Sequence, residues 1–143
     1  MMINKFIGGA NGIIAAADIA IASENTTFRF SEVKLGLVPA TIAPYVVLKT
    51  SPGVSKEWML TGREIDVREA YVRGLINVIV PDKNLHSEIG NMSEILLRNG
   101  PKALEGIKIM FRQKNFSNPD DHIEASAKLI AHYRVSEEGQ EGM

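Results

Sequence analysis

With 143 residues the chain fits one domain by the usual prior of roughly 100–200 residues per domain, and a hydrophobic content of 45% is enough for a packed core. A net charge of −1, with no basic run longer than two residues, argues against nucleic acid or an anionic membrane as the main partner. With no cysteine, disulfides and thiolate chemistry are excluded; His86, His122 and His132 do not fall at paired ligand spacings, so no metal is expected either.

The N-terminus does not read as a leader. Lys5 precedes an apolar stretch, but Gly8, Gly9, Asn11 and Gly12 interrupt it and Asp18 ends it. The same stretch is too short to span a bilayer, so the expectation is a cytoplasmic chain with no membrane partner.

In chain order, residues 13–17 suit a short buried helix after a glycine-rich start, with alanines that allow close packing. Residues 18–22 read as a buried strand with Ile19 and Ile21 on one side, and the alternation Phe28-Arg29-Phe30 predicts a second short strand. Gly36 and Pro39 mark a turn. Residues 40–49 are apolar, Pro44 fits a first helical turn, and Ser51-Pro52-Gly53 breaks the run. Residues 54–60 read as a helix closed by Gly62. Asp66 with Glu69 resembles a capping box, Gly74 ends the helix it opens, and residues 75–80 form a β-branched run typical of a buried strand.

Three longer helices are predicted to finish the chain. They cover residues 85–98, then Pro101 to Lys114 with Leu104, Ile107 and Phe111 at helical spacing, then a helix after Asn118-Pro119 with the stripe Ile123, Ala127, Ile130 and Tyr133 or Arg134. Residues 137–143 are polar and expected to fray. The stripes suit packing within the chain's own domain or against a neighbouring subunit. The organisation is read as one α/β unit, with a core over residues 1–82 and a helical region over residues 83–143.

Two features carry chemistry. Gly8-Gly9 at a helix start lets a ligand approach the backbone closely, where unpaired N–H groups suit an oxygen that gains negative charge. A tight turn is the commoner use of such a pair. Glu32, in Phe-Arg-Phe-Ser-Glu-Val-Lys-Leu-Gly, suits proton transfer if the fold holds it half-buried near those glycines, and a solvated turn residue if not. Arg29 and Lys34 flank it and can pair with it or meet an acidic substrate group. Trp58 and Tyr45 read as packing residues, Asp18 as a structural hydrogen-bonder, and residues 59–62 as a helix end alone. Val46, Val47 and Leu48 suit either an acyl pocket or the core.

Taken together, Gly8-Gly9, Ala17-Asp18-Ile19-Ala20-Ile21-Ala22-Ser23, the run from Phe28 to Pro39, Leu60-Thr61-Gly62-Arg63, Ala70, Gly74-Leu75-Ile76-Asn77 with Ile79-Val80-Pro81, and Glu141-Gly142 resemble the crotonase (enoyl-CoA hydratase/isomerase) superfamily in order and spacing. Ser31-Glu32-Val33-Lys34 and the segment after Pro39 look most like bacterial hydratases of branched or acidic enoyl-CoAs, the methylglutaconyl-CoA type among them. The resemblance implies the C-terminal part of a βαβ spiral followed by a helical C-terminal region, assembly as trimers or hexamers, and an acyl-CoA thioester as substrate with no separate cofactor. It implies catalytic roles for Glu32, as the proton relay, and for the Gly9 N–H, as one of two donors to the thioester oxygen. Gly8, Gly12 and Pro39 are implied to line the substrate. A second family glutamate corresponds to Gly12, and the family's third glycine is replaced by Ala10. The family's N-terminal half, with the other oxyanion donor, is not matched. The expectations are therefore a hydratase-like protein that is weak alone, a single-glutamate isomerase, or a non-catalytic assembly subunit, with a complementary N-terminal half as a partner.

Overall fold

Phe28 and Phe30 point to one side of an extended segment and Arg29 to the other, and that alternation seeds the core. In the computed structural model, which describes residues 5–112 and 119–141, both rings are fully buried. The elements that surround them are short. Strand β1 (Lys5–Ile7) is followed by helix α1 (Ala10–Ala16), β2 (Ile21–Ser23), β3 (Thr27–Arg29) and a 3₁₀ turn over Glu32–Leu35. Then come α2 (Ala43–Lys49), α3 (Pro52–Thr61), β4 (Glu64–Asp66), α4 (Val67–Val72) and β5 (Val78–Val80). Helices α5 (Leu85–Leu97), α6 (Pro101–Arg112), α7 (Pro119–Arg134) and α8 (Glu137–Glu141) complete the chain.

The strands form two small sheets. One has the order β1-β3-β4, with β1 parallel to β3 and β4 antiparallel to it, so that Ile7, Arg29 and Glu64 lie in one row. The other joins β2 and β5 in parallel, Ile21 beside Val78. The parallel pairs are crossovers through helices, as parallel pairing requires. Phe6 stacks on Phe28 at 5.8 Å and Phe30 on Trp58 at 6.0 Å between ring centroids. Ile65, Leu75, Val46, Val67 and Ala70 close the core around these rings. Burial of each large side chain contributes about 1.5–3 kcal/mol, which is what holds helices this short in place.

Local signals set several boundaries. The Ser51 hydroxyl accepts the Val54 N–H at 3.3 Å and Pro52 occupies the first turn of α3. Gly62 (φ +54°) closes that helix. Asp66 caps α4 by accepting the Glu69 N–H at 2.7 Å. Pro44 stands in the first turn of α2. Gly62, Asp66 and Pro44 follow the sequence expectation, whereas Ser51-Pro52-Gly53, expected to break the chain, starts α3 two residues before the expected position 54.

Four further expectations are corrected. Helix α1 begins three residues earlier than expected, and only Asn11, Gly12 and Ala15 are buried; Ile13 is 77% exposed. Strand β2 begins at Ile21 rather than at residue 18, because the Ala20 N–H is taken by the Asn77 side chain at 2.8 Å and the Ala20 carbonyl accepts the Asn77 N–H at 2.8 Å. Ile19 is left partly exposed. Leu75 and Ile76 are buried but not in a strand: their N–H groups both turn back to the Ala70 carbonyl at the end of α4, so β5 starts at Val78. The polar tail is helical as far as Glu141, with the Ser136 hydroxyl accepting the Gly139 N–H at 3.1 Å.

The chain divides into two compact units, Met1–Gly90 and Asn91–Met143. In the second, Gly106 is buried against the Tyr133 ring, which leaves no room for a Cβ on α6 at that point. Along the predicted stripes Ile107, Phe111 and Ile130 are half or more exposed, and the expected positions Lys114, Asn118 and Ile123 lie outside the residues and side chains described.

Candidate active site

The first unit brings the two chemical features of the sequence together. Strand β1 ends at Ile7, and Gly8, with φ +59°, turns the chain into α1. Its N–H donates to the Arg29 carbonyl at 2.9 Å, which ties the turn to the end of β3. Gly9 follows in helical conformation, φ −54° and ψ −27°, and is exposed. Its carbonyl accepts the Gly12 N–H at 3.0 Å, while its own N–H has no hydrogen-bond partner among the described residues. Nothing lies within 4 Å of the place where a Gly9 Cβ would stand, so a ligand atom can approach the peptide directly.

Glu32 reaches the same turn from the other direction. It opens the 3₁₀ segment just after β3, where the Ser31 carbonyl accepts the Lys34 N–H at 3.0 Å and the Glu32 carbonyl accepts the Leu37 N–H at 3.0 Å. Gly36, at φ +68°, ends the segment. The side chain is partly buried and lies over Gly8: its Oε1 stands 3.4 Å from where a Cβ on that glycine would be. Any residue larger than glycine at position 8 would meet both a strained backbone and this carboxylate. Oε2 is buried and has no hydrogen-bond partner. A buried carboxylate oxygen without a donor is rare in a folded protein.

Gly12 is buried on the inner side of α1 against α2, where an added Cβ would overlap the Ile42 side chain. Pro39 is half-buried, and its carbonyl accepts the Ile42 and Ala43 N–H groups at 3.2 and 3.0 Å, which starts α2. Gly12 and Pro39 therefore share Ile42 as a neighbour. Arg29 faces Glu64 across the sheet at 3.6 Å, and the Lys34 stem lies over Gly62. Val46 belongs to the core, whereas Leu48 is 86% exposed. Lys49 donates to the Ile14 carbonyl at 3.4 Å near the end of α1; burial lowers its pKa and the nearby Asp18 carboxylate offsets part of that effect.

Sequence reasoning missed the brace behind Glu32. Arg63 donates to Glu57 at 2.8 Å and to both Glu69 oxygens, and Trp58 Nε1 donates to Glu69 at 3.0 Å. The Arg63 hydrogen bonds hold the Glu69 carboxyl down at a pKa of about 2; burial opposes them in part, and the Trp58 hydrogen bond adds a smaller lowering effect. The fully buried Trp58 stacks on Phe30, two residues before Glu32. Gly62 is part of the same support: the Phe30 carbonyl and the Val33 and Lys34 side chains all crowd the side where its Cβ would be. The capping-box pattern did point to Glu69, but through its N–H rather than its carboxylate. The usable signal was the pair of glutamates at equal spacing on either side of Arg63 beside a lone tryptophan.

An open groove of about 650 Å³ lies elsewhere in this unit, lined by residues such as Glu24, Val67, Arg68, Tyr71 and Ile79; it includes neither Gly8, Gly9 nor Glu32. Among the described residues, no helix is long and apolar enough to cross a membrane.

The chain as a whole has counterparts among known proteins. The enoyl-CoA hydratase/isomerase family model matches residues 2–143. The chain belongs to the enoyl-CoA hydratase/isomerase (crotonase) family. A crotonase-type structure from Legionella pneumophila is 38% identical with a TM-score of 0.90, covering 97% of this chain and 54% of that one. An enoyl-CoA hydratase from Shewanella pealeana is 35% identical with a TM-score of 0.89, covering 97% of this chain and 52% of its own. A carnitinyl-CoA dehydratase from Citrobacter koseri is 29% identical over 106 residues, which make up 73% of this chain and 41% of the relative. The chain spans about half the length of the relatives it matches. The mixed α/β fold expected from the family resemblance is therefore the fold observed.

Proposed function

We propose that this chain carries the Glu32 side of an enoyl-CoA hydratase site that acts on a short or branched enoyl thioester. The observation that carries the reading is the Glu32 carboxylate laid over Gly8, with one oxygen buried, beside a Gly9 N–H; among the described residues neither that oxygen nor that N–H has a hydrogen-bond partner. In the proposed reaction, water attacks C3 of the enoyl group as Glu32 takes one of its protons. The double-bond electrons move onto the thioester oxygen, where the Gly9 N–H stabilises the enolate. Glu32 then returns the proton to C2 as the carbonyl re-forms, so that one water is added across the double bond. A single donor to such an oxygen is typically worth about 10²–10³ in rate.

The substrate's CoA part and the second oxyanion donor call for more of the fold than these residues supply. We infer that the rest of the fold, in the same chain or another, pairs with the free edge of β1, which has only β3 as a neighbour among the described residues and exposes Ile7 beside it. An unpaired strand edge is a template for such addition. The exposed stripe residues of α6 and α7 suit the trimeric or hexameric assembly expected from the resemblance.

A second reading is favoured by Gly12. Ile42 fills the space beside it, so that face of α1 has no room for a second carboxylate. One carboxylate that takes a proton from C2 of a 3-enoyl thioester and returns it to C4 shifts the double bond without adding water.

The test is the loss of enoyl-thioester absorbance with the chain alone and with a polypeptide supplying the rest of the fold, beside the reverse assay on a 3-enoyl thioester. Hydration that falls about 10²–10⁴-fold in Glu32→Gln is the expected result. Equal rates in the Gln variant would remove Glu32 from the mechanism. Double-bond migration without hydration would replace the first reading by the second, and absence of both in the reconstituted protein would leave an assembly role.

A further inference from the structure

Asn11 is the unusual side chain of α1. It is fully buried, yet only half of its carboxamide is satisfied among the described residues. Its Nδ2 donates to the Arg29 carbonyl at 2.8 Å, eighteen residues away in sequence. Its Oδ1 is buried with no partner. Exchanging the two ends of the amide would set oxygen against the Arg29 carbonyl oxygen, so that acceptor fixes the assignment. A leucine of the same shape would fill this place without an unsatisfied oxygen, so core filling does not explain the residue.

Its hydrogen bond closes a ring of contacts. The Arg29 carbonyl accepts from two donors, the Gly8 N–H at 2.9 Å and Asn11 Nδ2. The Gly9 peptide lies between those two anchored residues. Arg29 leads through Phe30, held by its stack on Trp58, to Glu32, whose carboxylate returns to lie over Gly8. Among the described residues, Gly8 and Asn11 make the hydrogen bonds from the start of α1 to the end of β3, so losing Asn11 leaves the one from Gly8.

We propose that Asn11 is a positioning residue: by fastening the first turn of α1 to the carbonyl that also holds Gly8, it sets the direction of the Gly9 N–H relative to the Glu32 carboxylate. This rests on the reading of Gly9 and Glu32 as the reacting groups, but its test does not need turnover. The experiment compares the full chain with Asn11→Leu by NMR, following amide exchange at Gly8, the Gly9 amide resonance and the Glu32 carboxyl carbon, with the Val46 amide in the core as reference. The expected result is about tenfold faster exchange at Gly8 and shifted Gly9 and Glu32 resonances, while Val46 exchange is unchanged. Gly8 exchange and both resonances as in the parent would overturn the proposal. So would equal acceleration at Gly8 and Val46 with unmoved resonances, which is the mark of a global stability change alone. If Asn11→Leu does not fold, Asn11→Ser, whose hydroxyl is too short to span to Arg29, is read by the same criteria. The hydration assay bears on the function and these resonances on Asn11, so the two can fail separately.

Discussion

Glu69 and Glu32 are both partly buried carboxylates in the same compact unit, and their surroundings differ in kind. Glu69 is saturated with donors: Arg63 reaches both of its oxygens and Trp58 one of them. Glu32 has one oxygen against a glycine and the other buried with no donor among the described residues. A saturated carboxylate holds structure, and its proton affinity is spent on its neighbours. An unsaturated one costs stability in the resting protein and is available to a ligand. The molecule places the first behind the second, through Trp58 and Phe30, so that the brace can hold Glu32 in place without satisfying its carboxylate.

The comparison breaks most visibly if the brace is hollowed. Trp58→Ala removes a fully buried ring and strands the Glu69 bond. The expected loss is about 3–5 kcal/mol in urea unfolding, a large share of a typical domain's stability. A loss under about 1 kcal/mol would mean that Trp58 is not the keystone described here. Gly62→Ala should cost less, about 1–2 kcal/mol, because alanine at φ +54° is strained and its Cβ would stand 3.0 Å from Val33 Cγ1. That variant should also move the Glu32 carboxyl carbon resonance, since Phe30 and Val33 flank Glu32.

Acid sharpens the contrast. The Glu69 pKa falls from an ordinary 4.5 to about 2 in the fold. A depressed carboxyl pKa contributes stability that is fully present above about 4.5 and is lost as pH falls toward about 2. Both side chains are partly exposed, Glu69 27% and Arg63 39%, so solvent screening reduces the contribution to about 1 kcal/mol. Glu69→Gln should therefore flatten the stability profile between those pH values, as measured by urea midpoints at a series of pH values. A profile as steep as the parent's would assign the acid sensitivity to other groups.

What was legible in the sequence depended on where the partner lay. Helices α2 and α3 were readable because Pro44 and Gly62 act within one turn of a helix end, and β3 because Phe28 and Phe30 alternate. Strand β2 was misplaced because its start is decided by Asn77, fifty-seven residues on, and β5 because the Leu75 and Ile76 N–H groups turn back to Ala70. The candidate site divides the same way. The meeting of Gly8 and Glu32 was anticipated from motif order, and the solid structure behind it was not. Gly62 and Asn11 act through contacts with segments that no local pattern connects, whereas Arg63 meets glutamates six residues away on either side, a local pattern that went unread.

The smallest effect is the most telling. Glu32→Gln keeps the shape of the side chain and removes its charge. If Glu32 were another Glu69, the change would cost stability, since charge-assisted bonds would be lost. Its buried Oε2 has no such bond, so the substitution should shift the urea midpoint by no more than about 0.5 kcal/mol, or raise stability by relieving an uncompensated buried charge. The pair of variants is then diagnostic: Glu69→Gln weakens the fold and Glu32→Gln does not. A destabilisation of about 2 kcal/mol in Glu32→Gln would show that the carboxylate has structural donors after all. It would then be a second brace, and the case for Glu32 as the group held ready for a substrate would fall with it.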